Sequence, residues 1–125
     1  MRYALLIHYP QPAVSTLSDD EIKAGMAAFR AYAEALDGAG VLRSAEVLQT
    51  VASATSVSVK QGNLQIQDGP FADTKEQFAG IFMIDVPDLD AALAWAEKCP
   101  AAHWGTVEVR PSGVRFVEGA WTRSE

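Results

Sequence analysis

Three side chains in this sequence have types and neighbours suited to moving protons. Glu46 stands in "VLRSAEVLQ", where strand alternation puts it on one face with Leu42, Ser44 and Leu48. An acid held among apolar neighbours is better suited to proton transfer than an exposed one. A sheet-edge position, or pairing with Arg43 or another base, accounts for Glu46 as well. His8 closes "RYALLIHY" on the face of Ala4 and Leu6, and imidazole is the side chain most able to shuttle protons near neutral pH. The same position also suits a hydrogen-bonded wall residue. Asp68 opens the turn "DGPF". Its carboxylate either faces a site at the strand ends or accepts N–H groups of its own turn. These three are the candidate catalytic residues.

Phe71, Lys75 and Arg110 are the candidate substrate-binding residues, Lys75 for an anionic group. Glu108 and Arg110 alternate with Val107 and Val109, which places both charges on one strand face. There they form either an interfacial ion pair or the polar lining of a pocket. His103, beside Trp104, reads as exposed loop, with a ligand-facing role as the alternative. Two histidines far apart, with no HxH or HxxxH spacing, give only a weak metal signal, and no metal is expected. Neither a P-loop nor GxGxxG is present, and the "GAG" of residues 38–40 is a helix stop. No cofactor is expected.

A chain of 125 residues fits one domain, 1–125, with a core large enough to need no staple. Ten Lys and Arg against 16 Asp and Glu give a net charge of -6, and an acidic surface repels phosphate backbones, so nucleic acid is not an expected partner. Cys99 stands alone, which excludes an intrachain disulfide and a cysteine zinc cluster and suits a reducing cytoplasm. The start "MRYALLIHYP" is too short for a signal sequence and far below a membrane span. A soluble cytoplasmic protein without membrane contact is expected.

The elements that must position these groups follow from local patterns. "RYALLIHY" is apolar on both faces and reads as a strand covered on both sides, ended by Pro10 and Pro12. Ser18 and Glu21 form a capping box, with Leu17 and Ile22 as hydrophobic staple. The helix that follows buries a stripe of Ile22, Met26, Phe29, Ala33 and Leu36 and stops at Gly38 and Gly40. "VLRSAEVLQ" is a strand, and "TSVSVKQGNLQIQDG" a hairpin turning at Gly62-Asn63. Asp73 and Glu76 predict one capped helical turn in "DTKEQF" before the apolar strand "AGIFMIDV". Asp88 caps a helix with Leu89, Ala92, Leu93, Ala96 and Cys99 inward, ended by Pro100. "TVEVRP" and "VRFVEGAW" finish as strands.

Without the hairpin this order is βαββαβ, the split βαβ pattern of a ferredoxin-like α+β sheet with helices on one face. The uncovered face needs a partner, and a second copy packed sheet to sheet gives a homodimer with a barrel-like interior.

"DGPFADTKEQFAG", then "IDVPDLDAALAWAEKCPAA" and "GTVEVRP", with the "YALLIHY" start, closely resemble the DGPF-domain proteins, a branch of the YCII-related family. The resemblance implies a ferredoxin-like, dimeric α/β-barrel fold and a bacterial source, and it places Asp68 within the family motif. Some relatives are found alongside extracytoplasmic-function sigma factors. The wider family is thought to include enzymes with a His-Asp pair in a cleft, one of them a dehydrochlorinase. Registering "FRAYAEALDGAGVL" on the family's first helix puts Phe29 where that histidine would stand, so the dyad does not carry over. Two functions stand side by side. One is a lyase-like or isomerase-like enzyme for an unknown small-molecule ligand, with Asp68, Glu46 and His8 in an apolar cleft. The other is a non-catalytic regulatory or interaction module linked to a sigma-factor-dependent stress response.

Overall fold

The computed structural model describes residues 1–11 and 17–124. Pro12, expected to end the first strand, lies outside the described residues. Four strands form one antiparallel sheet in the order β2-β5-β1-β6: β1 (Arg2–Tyr9), β2 (Leu42–Val47), β5 (Gln77–Asp85) and β6 (Thr106–Pro111). With α1 (Asp19–Gly38) and α2 (Leu89–Lys98) as crossovers, this is the strand order of a ferredoxin-like α+β sheet. Two ribbons are added: β3 (Thr55–Lys60) with β4 (Asn63–Asp68), and β7 (Val114–Val117) with β8 (Ala120–Arg123). A short α3 (Ala101–Trp104) holds His103, which is exposed but helical, not in a loop as expected. Among the described residues no helix is long and apolar enough to cross a membrane.

Local signals explain the helices. Ser18 Oγ accepts from Glu21 N at 3.1 Å while Ser18 N donates to the Glu21 carboxylate at 3.3 Å, a complete capping box. Asp88 accepts from Ala91 N at 2.9 Å and starts α2. Gly40, at φ +75°, supplies the left-handed residue after α1. The inner stripe of α1 is shorter than the sequence suggests. Tyr32 and Leu36 are buried and Phe29 packs against the core, but Ile22 is partly exposed and Met26 is 68 % exposed. Of the α2 stripe, Ala92, Ala96 and Cys99 are buried, while Leu89 and Leu93 are nearly half exposed.

Both helices cover one face of the sheet, where Tyr3, Leu5, Ile7, Phe82 and Ile84 form the core with Leu36, Ala92 and Cys99. Tyr32 donates its hydroxyl to the Trp95 carbonyl at 2.7 Å, which ties α1 to α2, and burial pushes its phenol above the ordinary range. The intervening residues Ala4, Leu6, Ile81 and Met83 are half-buried on the other face, so β1 is covered on one side within the chain and not on both.

Three strand details correct the sequence reading. The β3–β4 turn is Gln61-Gly62, not Gly62-Asn63: both residues have positive φ, 52° and 79°, and Lys60 pairs with Asn63. "VRFVEGAW" is not one strand but a hairpin, turning at Glu118 and Gly119 with φ 51° and 80°. A register shift between Leu42 and Ser44 sets Leu42 opposite Ile84 on the helix side, while Ser44 and Glu46 face Met83 and Ile81 on the open side. Leu42 and Glu46 therefore do not share a face.

Candidate functional site

A second irregularity shapes the site. The β1–β5 register shifts between Ile7 and His8, so that Ile7 faces Gly80 and His8 faces Phe78, with Ala79 as the extra residue. The Ala79 carbonyl, turned by this bulge, accepts from Leu48 N at 2.8 Å and starts the chain's departure from β2. A 3₁₀ turn, Val51–Ser53, follows, and Gln11 accepts from Val51 N at 3.0 Å to fix it against the end of β1. Between this turn, the roots of the β3–β4 ribbon and the His8 end of the sheet lies a cleft of about 730 Å³. Its walls are mostly apolar: Leu48, Val51, Ala54, Pro70, Phe71 and Phe78. His8, Glu76, Gln77, Thr50 and Thr74 supply polar groups. Few polar groups among apolar walls is the usual composition of a small-molecule site.

His8 is the centre of these groups. Its ring lies 5.5 Å from that of Phe78. Its Nε2 is buried, makes no hydrogen bond to another described residue, and lies 3.5 Å from Glu108 Oε1. Glu108 is the diagonal cross-strand neighbour of His8, since Leu6 faces Glu108 and His8 faces Thr106. The other Glu108 oxygen is 3.8 Å from Arg110 Nε, so Arg110, Glu108 and His8 form a line of alternating charge across the open face. Thr106, opposite His8, donates its hydroxyl to Glu76 Oε1 at 2.6 Å. That bond holds the Glu76 carboxylate in the cleft wall.

"DTKEQF" does not form the expected helical turn. The Thr74 hydroxyl donates to the Glu76 carbonyl at 2.7 Å and the Glu76 side chain is engaged by Thr106, so neither is left to cap a helix. Phe71 sits on the lip of the cleft and is 96 % exposed. Asp68 ends β4 and is exposed, outside the cleft lining. Glu46 is exposed on the open sheet face, in a row with Ile81, Leu6 and Glu108. Lys75 is exposed next to the cleft residues Thr74 and Glu76, and Arg110 lies on the open face beside Glu108. The structure thus brings His8 and Phe71 to one cleft and leaves Asp68, Glu46, Lys75 and Arg110 around it. Glu76 and the His8–Glu108 approach were not legible as site features, because each depends on a contact with a distant strand. The one signal was the shared face of Glu108 and Arg110. Among the described residues no group of three His, Cys, Asp or Glu side chains is placed to hold a metal ion.

An antiparallel ferredoxin-like α+β sheet with a histidine-bearing cleft at one end defines the class. The YCII-related domain matches residues 1–112, and the chain belongs to that family. It is 34 % identical over 113 residues to an uncharacterized protein of Rhizobium meliloti (strain 1021), covering 89 % of this chain and 91 % of the relative.

Proposed function

We propose that this protein is a small-molecule enzyme of lyase-like or isomerase-like chemistry, with His8 as the proton-transfer group. The observation that carries this reading is the buried, unpartnered His8 Nε2 in the wall of an apolar cleft, 3.5 Å from a carboxylate. A neutral imidazole removes a proton from substrate carbon, and the Glu108 carboxylate stabilises the imidazolium that forms. The electron pair left on the substrate then either expels a leaving group, giving a lyase, or takes the proton back at another carbon, giving an isomerase. Phe71 and Phe78 hold the apolar part of the substrate, and Lys75 and Arg110 attract an anionic one. Asp68 and Glu46 enter the site when a second copy of the chain covers the open sheet face, so the reading includes a sheet-to-sheet homodimer. The buried free thiol of Cys99 suits a reducing, cytoplasmic location.

A second reading, a non-catalytic interaction module, draws on the exposed apolar ribbons. A thermal-shift screen against small metabolites separates the two, because a ligand bound only by the folded form raises Tm whatever the chemistry. Compounds that bind are then incubated with the protein and followed by NMR. Conversion that His8→Gln abolishes and Glu108→Gln slows about 100-fold supports the enzyme. Ligands that bind and turn over equally in both variants remove His8 from the mechanism, and bound ligands that never change favour the module.

A further inference from the structure

Two ribbons present apolar faces to solvent. On β3–β4, Val57 pairs with Ile66 and Val59 with Leu64, and all four are 63–65 % exposed. On β7–β8, Phe116 pairs with Trp121, with rings 5.4 Å apart, and Val114 lies on the same face. Two-stranded ribbons with a bare apolar face are marginal in water, so something covers them.

Strand order and register locate both. β2 is one sheet edge, and its last residue, Val47, is level with Gly80 and hence with Ile7. The β3–β4 ribbon, inserted between Val47 and Gln77, therefore leaves the sheet at its His8 end, on the β2 side. β6 is the opposite edge and runs from Thr106, facing His8, to Pro111, facing Tyr3. The β7–β8 ribbon thus leaves at the Tyr3 end. The two ribbons root at diagonally opposite corners of the sheet.

We propose that a second copy of the chain covers both, with the β3–β4 ribbon of each protomer packed on the β7–β8 ribbon of the other. The proposal rests on the sheet-to-sheet dimer of the preceding section and fixes its geometry. When two open faces meet about a two-fold axis along or across the strands, the four ribbons occupy four separate corners and none is covered. An axis along the diagonal that separates the ribbon corners lays each ribbon beside the unlike one. It also crosses the strands of the two sheets near a right angle, one of the two standard packings of sheet on sheet.

Chemistry agrees with this exchange. The aliphatic Val57, Val59, Leu64 and Ile66 meet the aromatic Phe116 and Trp121. Asp68 extends the aliphatic face at the root of its ribbon, and Arg123 extends the aromatic face at the root of the other. Because the roots share a corner in the dimer, these opposite charges come together. The exposed apolar faces amount to about 600 Å² per chain, so their burial by a pair of chains reaches the lower bound of about 1,200 Å² for a specific interface. Ala54 and Pro70, at the roots of β3–β4, also line the cleft. Phe116 and Trp121 of the partner subunit therefore stand at its rim, and the site is incomplete in one chain.

Sedimentation of the whole protein at micromolar concentration is expected to give a dimer. Ile66→Cys chains mixed with Trp121→Cys chains and oxidised are expected to form a mixed disulfide dimer, while Ile66→Cys alone forms none; the native Cys99 is buried and stays silent. Asp68→Arg and Arg123→Asp are each expected to weaken association about tenfold or more, by setting like charges together, and the double reversal to restore it. A dimer that gives only an Ile66→Cys homodisulfide, or no mixed disulfide and no rescue, overturns the ribbon exchange and leaves the sheet-to-sheet dimer standing. A monomer overturns both. The role of His8 is judged separately by substrate conversion.

Discussion

The two faces of the central sheet are built from the same strands and end in different surroundings. On the helix side Leu5, Ile7, Phe82 and Ile84 are sealed beneath α1 and α2. On the other side Leu6, Ile81 and Met83 are half-buried, with His8, Glu108 and Arg110 among them. The difference separates stability from chemistry. A titratable group between sheet and helices would lose its hydration with no partner to replace it, whereas on the open side it keeps access to solvent, ligand or a second chain. Tyr32, with its bond to the Trp95 carbonyl, and Cys99 are buried on the helix side, and burial pushes both upward towards their neutral forms.

Truncations on the two faces are expected to cost different amounts. Phe82 packs against the rings of both Phe29 and Tyr32, so Phe82→Ala is expected to lose about 3–5 kcal/mol. Leu6→Ala, on the open face, is expected to lose about 1 kcal/mol in the single chain. Urea denaturation of both variants at a protein concentration low enough to keep the chains apart measures the contrast, and equal losses there would mean that the open face is as much a core of the single chain as the helix side.

Two glycines differ in how closely other backbone approaches them. A Cβ on Gly80 would stand 2.7 Å from the Glu46 carbonyl oxygen and 3.3 Å from Val47 Cα, both backbone atoms of β2 that cannot swing away. Gly80→Ala is expected to cost about 1–3 kcal/mol by forcing β2 off the bulge. At Gly38, the last residue of α1, no described residue lies within 4 Å of an added methyl, and Gly38→Ala is expected to stabilise by about 0.4–1 kcal/mol. Thermal melts of the pair test whether tolerance follows backbone proximity. A harmless Gly80→Ala would mean that β2 is free to shift.

What was legible in the sequence was local or followed from element order. Ser18 with Glu21 and Asp88 with Ala91 lie within one helical turn, so their caps could be read directly, and the order of elements gave the sheet. Turn placement was missed because Gln61 and Glu118 take left-handed backbone although neither residue type favours it; only the glycine after each hinted at the turn. Arg43 lies inside a register shift that no alternation pattern reveals, and this moved Leu42 off the face of Glu46. The site was half legible for the same reason. His8 could be placed at a strand end from its own segment. Glu108 comes to it across the β1–β6 pairing, from a strand distant in sequence, and Glu76 is held in the cleft by a bond from Thr106, 30 residues away, so a capping-box spelling at Asp73 to Glu76 gave way to that bond.

The smallest expected effect lies at the rim of the open face, at Asp85, the cross-strand partner of Arg2. The N-terminal ammonium lies 3.1 Å from its Oδ1 and Arg43 Nη2 lies 3.6 Å from its Oδ2. The hydrogen bond from the ammonium, aided by its charge and those of Arg43 and Arg2, outweighs a small desolvation and holds the carboxyl below the usual carboxylate range. The folded state thus binds the Asp85 proton less tightly than the unfolded state. The resulting stability is fully present above the unfolded value of about 3.9 and is lost as the pH falls through the lower folded value. Because the pair is partly exposed, the contribution is under about 1 kcal/mol. Asp85→Asn is therefore expected to be slightly less stable than the native chain near neutrality, with the gap closing on acidification below about pH 4. Denaturant melts across that range measure the gap, and one that stays constant down to about pH 2 would show that the ammonium and Arg43 do not act on this carboxylate.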